Sequence, residues 1–387
     1  MEFLEQTLDC LERLVAYPSI SQSPNYPLIE DIAQRLESVG ARVEVLAATD
    51  GSKANLFASI GPEISGGIVL SGHTDVVPAD ATQWTGDPFV ARRTADRIYG
   101  RGTCDMKGFV AACIVAAGKH QSLPLERPIH FSFTYDEEIG CLGAQELVED
   151  LRKRPVKPAL AIIGEPTSMR VIEGHKGCYE YTTHFHGAEG HGSEPDKGVN
   201  AIEFANRYIG HLYETAEGLK KRAPQDSPFD PPWTTVQVGR IEGGSARNVI
   251  AGQCSVEWEM RPVQQSDATR VHESLQEFVH EDLLPRMRLK HAEADIHLET
   301  IAEVCGFDPM KENEARDLVS SLTGSNQADV VAFGTEAGLF QSLGMDVVVC
   351  GPGSIEQAHK ADEFITYDQL QQCLDMLDGV WKKCQSR

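Results

Sequence analysis

The sequence is poor in basic residues, with 35 Lys and Arg against 58 Asp and Glu and a formal net charge of −23. Lys and Arg provide most of the attraction that proteins have for nucleic acids and for anionic membrane surfaces. This charge balance argues against the nucleic-acid-binding class. We therefore expect neither nucleic acid nor a membrane as a partner.

Long hydrophobic runs are also missing. The longest, residues 109–118 (FVAACIVAAG), is about half of the roughly 20 residues that a membrane-spanning helix needs. The first segment, MEFLEQTLDCLERL, is acidic and amphipathic, and it lacks the basic start of a secretory signal peptide. We therefore expect no membrane span and a cytoplasmic location.

The ten cysteines include no CxxC pair and form no dense framework. A large chain with scattered cysteines is typical of a reducing compartment, where thiols stay free. We expect neither disulfides nor a zinc site built from four cysteines.

The composition that remains is ordinary for a globular protein, with 41% hydrophobic and 24% charged residues, so a disordered or fibrous chain is excluded. Residues 1–176 alternate helical and strand-like segments, which is typical of an α/β domain with a mostly parallel sheet. Residues 177–304 instead follow the order βαββαβ of a small α+β sandwich, and the α/β pattern returns over residues 305–387. At roughly 100 to 200 residues per domain, we predict one discontinuous α/β domain interrupted by an inserted one.

Polar residues follow the apolar strands of the predicted α/β domain. In open α/β sheets, ligands bind at the carboxyl ends of the strands, so these residues should converge on one crevice. They are His73 and Asp75, then Asp105, then Glu137 and Glu138, then Glu165, and finally His359.

The spacing of His73 and Asp75 suits a metal ligand and the partner that orients it, because residues i and i+2 of an extended segment point the same way. The same spacing also occurs in ordinary surface turns. Asp105 lies in a glycine-rich segment before a small-residue helix, where a carboxylate could bridge two cations or simply cap the helix.

Glu137 and Glu138 are adjacent carboxylates that repel each other, which favours a nearby cation, although a solvated acidic turn is the alternative. Either could bind a metal while the other carries a proton. With Glu165 and His359, the set offers imidazole and carboxylate donors that suit zinc or cobalt. One bridging Asp would suit a site for two metal ions.

Five motifs in this order carry a resemblance that covers essentially the whole chain. They are GHTDVVP (72–78), GRGTCDMKG (100–108), DEEIG (136–140), GEPT (164–167) and AH (358–359). The sequence resembles the dinuclear metallohydrolase family that includes acetylornithine deacetylases, succinyl-diaminopimelate desuccinylases, aminoacylases and carboxypeptidase G.

The resemblance implies a zinc-hydrolase catalytic domain whose site holds two Zn²⁺ ions, with Co²⁺ as a possible substitute. It implies that Asp105 bridges the two ions, that His73 and Glu165 hold one of them, and that Glu138 and His359 hold the other. It further implies that Asp75 orients His73 and that Glu137 is the general base of a metal-assisted amide hydrolysis.

For residues 177–304 the resemblance implies a lid through which two copies of the chain dimerise. His191 in Gly-His-Gly-Ser matches a histidine that reaches the site of the partner subunit, although the family usually has serine at position 192. Asn248 and Arg261 match positions that contact the substrate carboxylate. For Arg261 the alternative is a surface arginine on an edge strand.

Residues 333–338 (FGTEAG) and 351–360 (GPGSIEQAHK) most resemble the acetylornithine deacetylases of the family. The desuccinylases tend to have Ser-Asp at positions 336 and 337. We therefore expect a small N-acyl amino acid as substrate, with Glu336 a candidate to meet the ornithine ammonium. A desuccinylase or dipeptidase with the same metal residues, a non-enzymatic binding module and a structural-metal protein are the alternatives.

Overall fold

Helices and strands alternate along the chain in the computed structural model, which describes residues 2–385. The helices are α1 (Glu2–Val15), α2 (Tyr26–Ser38), α3 (Gly108–His120), α4 (Leu142–Lys153), α5 (Ala201–Lys220), α6 (Gln265–Phe278), α7 (Leu284–Lys290), α8 (Glu314–Thr323), α9 (Ala337–Gln341) and α10 (Tyr367–Cys384).

The strands supply one large sheet and three smaller ones. They are β1 (Arg42–Ala47), β2 (Ala54–Ile60), β3 (Ile68–His73), β4 (Arg92–Arg93), β5 (Arg97–Tyr99), β6 (Ile129–Thr134), β7 (Leu160–Pro166), β8 (Ile172–His175), β9 (Cys178–His186), β10 (Gly190–His191), β11 (Thr235–Gly243), β12 (Val249–Ile250), β13 (Gln253–Arg261), β14 (Asp295–Val304), β15 (Asp329–Val331), β16 (Asp346–Gly351) and β17 (Phe364–Thr366).

The chain divides into two units. The first comprises residues 2–174, Phe307–Val330 and 335–385, and the second comprises His175–Gly306 and Val331–Gly334. The last four residues of the second unit lie beyond the predicted end of the insertion at 304. They belong there because Gly334 packs against Cys178 at the start of β9. A Cβ atom added at Gly334 would lie 3.3 Å from the Cβ atom of Cys178.

The first unit is built on an eight-stranded sheet in the order β1-β2-β6-β3-β7-β16-β8-β15. Its central strands β6, β3, β7 and β16 run parallel, and the outer pairs β1–β2, β2–β6 and β8–β16 are antiparallel. Strands β3, β6 and β7 are buried along their full length, as expected for parallel strands covered on both faces. This mixed, mostly parallel sheet confirms the predicted α/β class.

Helices cover this sheet with their apolar faces. In α1, Leu8, Leu11, Leu14 and Val15 recur at helical spacing and are buried. Helix α3 is buried almost all around, because its many small residues let it pack closely against β7, α1 and α10. Among the described residues, no helix combines the length and the apolar character that a membrane span requires.

The second unit contains an antiparallel sheet in the order β11-β13-β9-β14. Side chains alternate along β9 and β13, so Tyr181, Phe185, Val256 and Trp258 form a core with α5 and α6. Helix α6 continues through the π-helical turn Val279–Leu283 into α7. A short pair, β10–β12, lies outside this sheet.

Candidate metal centre

The candidate metal-binding side chains all belong to the first unit, and most of them lie at or after the ends of strands of its eight-stranded sheet. They are His73 at the end of β3, Asp105 in the turn Thr103–Lys107 before α3, Glu137 and Glu138 in the turn Glu137–Ile139 after β6, Glu165 in the last part of β7, and His359 in the loop after β16. The structure therefore brings together every ligand that the motifs predict.

The Asp105 carboxylate lies between the two imidazoles. Its Oδ1 is 3.0 Å from Nε2 of His73, and its Oδ2 is 3.4 Å from Nε2 of His359. Nε2 of His73 is also 3.9 Å from Oε1 of Glu165, and Nε2 of His359 is 2.9 Å from Oε2 of Glu138. The five side chains thus form two adjacent groups that share Asp105.

The donor set fits a pair of divalent cations. Oε1 of Glu165 is buried and has no hydrogen-bond partner among the described residues. A carboxylate oxygen left in this way costs free energy unless a cation or donor meets it. Imidazole and carboxylate donors are those that zinc and related ions accept, and donor atoms of His73, Asp105 and Glu138 lie within 4.8 Å of one another.

Glu137 belongs to the same cluster, because its donor atom and those of His73 and Glu165 also lie within 4.8 Å of one another. Geometry alone therefore allows it either as a ligand or as a base. Burial raises the pKa of Glu137 well above its ordinary value, although the charge of His73 opposes this, and repulsion from Glu138 and Asp105 adds to it. A carboxyl group with a raised pKa can accept and hold a proton near neutral pH.

The other carboxyl groups respond to the same surroundings. Burial and repulsion from Asp105 and Glu137 raise the pKa of Glu165 well above its ordinary value. Burial acts in the same sense on Asp105, but its hydrogen bonds with His359 and His73 outweigh burial and lower its pKa. Asp105 and Glu138 in turn raise the pKa of His359 to about 10.

Glu137 and Glu138 directly follow a residue whose backbone conformation is strained. Asp136 has a positive φ of 52°, which non-glycine residues seldom adopt. Its carboxylate forms a buried ion pair with Lys53 and accepts a hydrogen bond of 2.8 Å from the backbone N–H of Gln22. These contacts fix the conformation from which Glu137 and Glu138 project.

Asp75 does more than the predicted orientation of His73. Nδ1 of His73 is 2.9 Å from the backbone oxygen of Asp75 and 3.5 Å from its carboxylate. The carboxylate instead accepts hydrogen bonds from the backbone N–H groups of Glu137 (3.1 Å) and Glu138 (3.4 Å) and from Oγ of Ser21 (2.8 Å). Asp75 therefore links the end of β3 to the turn after β6.

In this structure Glu336 does not have the exposed position that the predicted contact with a substrate ammonium needs. Glu336 is 0% exposed, and its carboxylate accepts hydrogen bonds from the hydroxyls of Ser71 and Thr134, the latter at 2.9 Å. Burial raises its pKa. The residue lies in the interior of the unit because α9 begins directly after it and packs against β16 and β7.

The remaining predicted site residues lie in the second unit. His191 is exposed on β10, where its Nδ1 is 2.7 Å from Oγ of Ser193. Asn248 is exposed beside it, and its backbone oxygen accepts from the N–H of Gly192 at 2.8 Å. Arg261 ends β13 and pairs with Glu259 at 2.6 Å, and since β13 is an interior strand, the edge-strand alternative is wrong.

The sequence motifs do not indicate the residues that hold the ligand segments in place, above all Lys53 and Glu363. The carboxylate of Glu363 is 1% exposed and faces the turn that contains Asp105. No local pattern relates Lys53 to Asp136, because 83 residues separate them. The acidic pair Asp362-Glu363 shortly after His359 is the single signal that could have indicated one of them.

The chain matches the model of peptidase family M20/M25/M40 over residues 69–383. Among curated proteins it is 34% identical to an acetylornithine deacetylase of Pasteurella multocida, covering 98% of each chain. It is 35% identical to an acetylornithine deacetylase of Proteus mirabilis, covering 92% of this chain and 91% of the relative.

Solved structures with the same fold cover nearly the whole chain. An M20 family metallo-carboxypeptidase of Sulfolobus solfataricus has a TM-score of 0.76 at 18% identity, with 97% of this chain and 98% of that one covered. A dinuclear metal binding peptidase of the M20 family from Bacillus subtilis has a TM-score of 0.63 at 17% identity, with 99% of each chain covered. At these identities the likeness concerns the fold alone.

Proposed function

The chain belongs to peptidase family M20/M25/M40 and is a hydrolase acting on amides, and from this premise we propose that it removes the acetyl group from N²-acetyl-L-ornithine. The products would be L-ornithine and acetate. The observation that carries the reaction type is the Asp105 carboxylate between two imidazoles, beside a buried carboxylate oxygen of Glu165 that has no hydrogen-bond partner in the described part of the chain. The choice of substrate is supported by the acetylornithine deacetylases that the chain resembles over 92–98% of its length.

We propose Zn²⁺, with Co²⁺ as a substitute, for both ions. His73 and Glu165 would hold one ion, Glu138 and His359 the other, and Asp105 both. When bound, two such cations would lower the pKa of a water molecule and polarise the acyl carbonyl. The donor types and the pairing of side chains around Asp105 support this assignment.

Glu137 would act as the general base and then as the general acid. Its carboxylate would take a proton from the attacking water and return it to the leaving nitrogen of the amide. Its raised pKa supports this task, because the carboxyl group must keep the proton between the two steps. Asp75 would keep Glu137 in place through its hydrogen bond to the backbone N–H of that residue.

The second unit would contribute substrate contacts. In this proposal it forms a lid and a homodimer interface, His191 donates a hydrogen bond to the developing oxyanion, and Asn248 and Arg261 bind the substrate carboxylate. The exposure of His191 supports its availability. The ten cysteines, scattered without a CxxC pair, support a reducing compartment, and we propose the cytoplasm.

Hydrolysis of N-acetyl-L-ornithine and N-succinyl-L,L-diaminopimelate should be compared on chelator-stripped protein with and without added Zn²⁺ or Co²⁺. We expect metal-dependent turnover of the acetyl substrate alone. Turnover of the succinyl substrate alone would keep the reaction type and reject the proposed substrate. Metal-independent turnover would reject the proposed mechanism.

A further inference from the structure

A buried carboxylate that touches no candidate ligand side chain holds the turn around Asp105. Oε1 of Glu363 accepts hydrogen bonds from the backbone N–H groups of Cys104 (2.8 Å) and Asp105 (3.1 Å). Its Oε2 accepts from the backbone N–H of Gly102 (2.9 Å) and from Nη1 of Arg101 (2.8 Å). The side chain is 1% exposed, so these four donors are what replaces water around its charge.

The same residue belongs to the segment that carries the other imidazole. Glu363 follows His359 by four positions, and Arg101 also donates to the backbone oxygen of Lys360 at 3.3 Å. The backbone N–H of Gly100 donates to the backbone oxygen of Glu363 at 2.9 Å. Strands β5 and β17 then pair directly beyond these contacts, with Tyr99 opposite Phe364.

We propose that Glu363 is a positioning residue of the metal centre, which fixes the turn of Asp105 relative to the loop of His359. These two side chains belong to distant parts of the sequence, yet Nε2 of His359 lies 3.4 Å from Oδ2 of Asp105. Glu363 makes the connection through backbone N–H groups, so it sets where the ligand segments lie without competing for a cation.

The chemistry of the turn requires a carboxylate. Three backbone N–H groups and one guanidinium converge on the two oxygens, and an ionised carboxylate accepts through both without carrying a donor. Glutamine has the same shape but turns an NH₂ group toward one side of this cradle. At least one backbone N–H would then face another donor at a buried position.

The inference rests on the proposed metal-dependent hydrolysis, and its test separates metal binding from turnover. Zn²⁺ affinity is measured by competition with a chromogenic chelator, and kcat and KM for N-acetyl-L-ornithine are measured at saturating Zn²⁺. Glu363→Gln should weaken Zn²⁺ binding about 10-fold to 100-fold, as loss of a group supporting metal ligands does. It should also lower kcat of the metal-saturated enzyme and leave KM within about twofold of the wild-type value.

The neighbouring residue provides a matched control. Asp362 is partly exposed and accepts hydrogen bonds from the backbone N–H (3.1 Å) and the hydroxyl of Thr85. Asp362→Asn removes the same charge one position away, and its Zn²⁺ affinity should stay close to that of the wild type. An equal loss in both variants would mean that charge alone matters, which would overturn the positioning role.

Further outcomes test the positioning role of Glu363. If Glu363→Gln keeps the Zn²⁺ affinity of the wild type and only lowers the melting temperature, Glu363 is a purely structural residue and the inference is rejected. If the Gln variant does not fold, Glu363→Asp keeps the charge but reaches fewer N–H groups, and it should give an intermediate affinity; wild-type affinity in that variant would equally reject it. If the wild-type protein binds Zn²⁺ but does not hydrolyse the acetyl substrate, the proposed function fails while the affinity comparison still tests Glu363.

Discussion

Replacing Glu137 with Gln should lower turnover by several orders of magnitude and leave both metal ions bound. Oε2 of Glu138 already lies 2.9 Å from His359, and Oε1 of Glu165 lies 3.9 Å from His73, whereas the Glu137 carboxylate accepts a hydrogen bond from the thiol of Cys141 at 3.6 Å. Glu137 is therefore the carboxylate of this cluster that a metal pair needs least. The Gln variant has the same size but accepts no proton from water.

The expected loss of rate follows from the proposed role of Glu137 as a general base. Removal of a general base costs about 10² to 10⁴ in rate. At about 1.36 kcal/mol per tenfold change, this corresponds to about 2.7 to 5.4 kcal/mol of activation free energy. The whole loss should appear in kcat, because Glu137 has no proposed contact with the substrate before the reaction. KM should stay within about twofold.

The assay pairs steady-state kinetics with metal analysis of the purified protein, and Glu165→Gln is the matched control. The control should lose bound metal, since Oε1 of Glu165, which has no hydrogen-bond partner among residues 2–385, is its proposed donor. Loss of a metal ion from Glu137→Gln would make Glu137 a ligand and refute the reasoning. Turnover above about one tenth of the wild-type rate would remove it from the base role.

Three further perturbations test other parts of the structure. His191→Ala should lower kcat about 10²-fold to 10³-fold, as loss of one oxyanion donor does, whereas a change in KM alone would make His191 a binding residue. Lys53→Met leaves the buried carboxylate of Asp136 unpaired and should cost about 3 to 5 kcal/mol of unfolding free energy in urea titrations, so a loss below about 1 kcal/mol would contradict the importance of this ion pair. Burial lowers the pKa of His130 from 6.5 to about 4, so the native protein resists protonation of this imidazole. The free energy of unfolding should therefore fall by about 3 kcal/mol as the pH falls from about 6.5 to about 4. His130→Gln should lose that part of the pH dependence, whereas the control His297→Gln, at an exposed position, should keep it. Identical stability profiles of His130→Gln and the wild type would refute the assignment to His130.

The α/β class could be predicted because apolar runs of strand length alternate with amphipathic helices, and this pattern is local. The convergence of His73, Glu138 and Glu165 could be anticipated for a similar reason, since parallel strands end at the same edge of a sheet. Both inferences need only the order of segments along the chain and the direction of the strands.

The errors and omissions concern contacts between distant residues. Glu336 reads as a polar residue in a glycine-containing loop, and nothing near it in the sequence reveals that Ser71 and Thr134 will enclose it. The contacts of Asp75 with the backbone of Glu137 and Glu138 are equally hidden, because a backbone N–H carries no sequence signal. Only the folded chain shows which carboxylates serve as acceptors for such groups.

Two carboxylates that are not assigned to a metal ion, Asp75 and Glu363, each hold a ligand segment by its backbone N–H groups. A ligand variant such as Glu138→Gln removes one donor but leaves its segment in place. A variant of Asp75 would release the turn that carries both Glu137 and Glu138, so it should impair the base and a ligand together. Combining Glu138→Gln with a variant of Asp75 should therefore weaken Zn²⁺ binding by less than the sum of the two separate effects. The second change would act on a segment that is already displaced. Strict additivity in such a double-mutant cycle would show that the ligand segments hold their positions without these carboxylates.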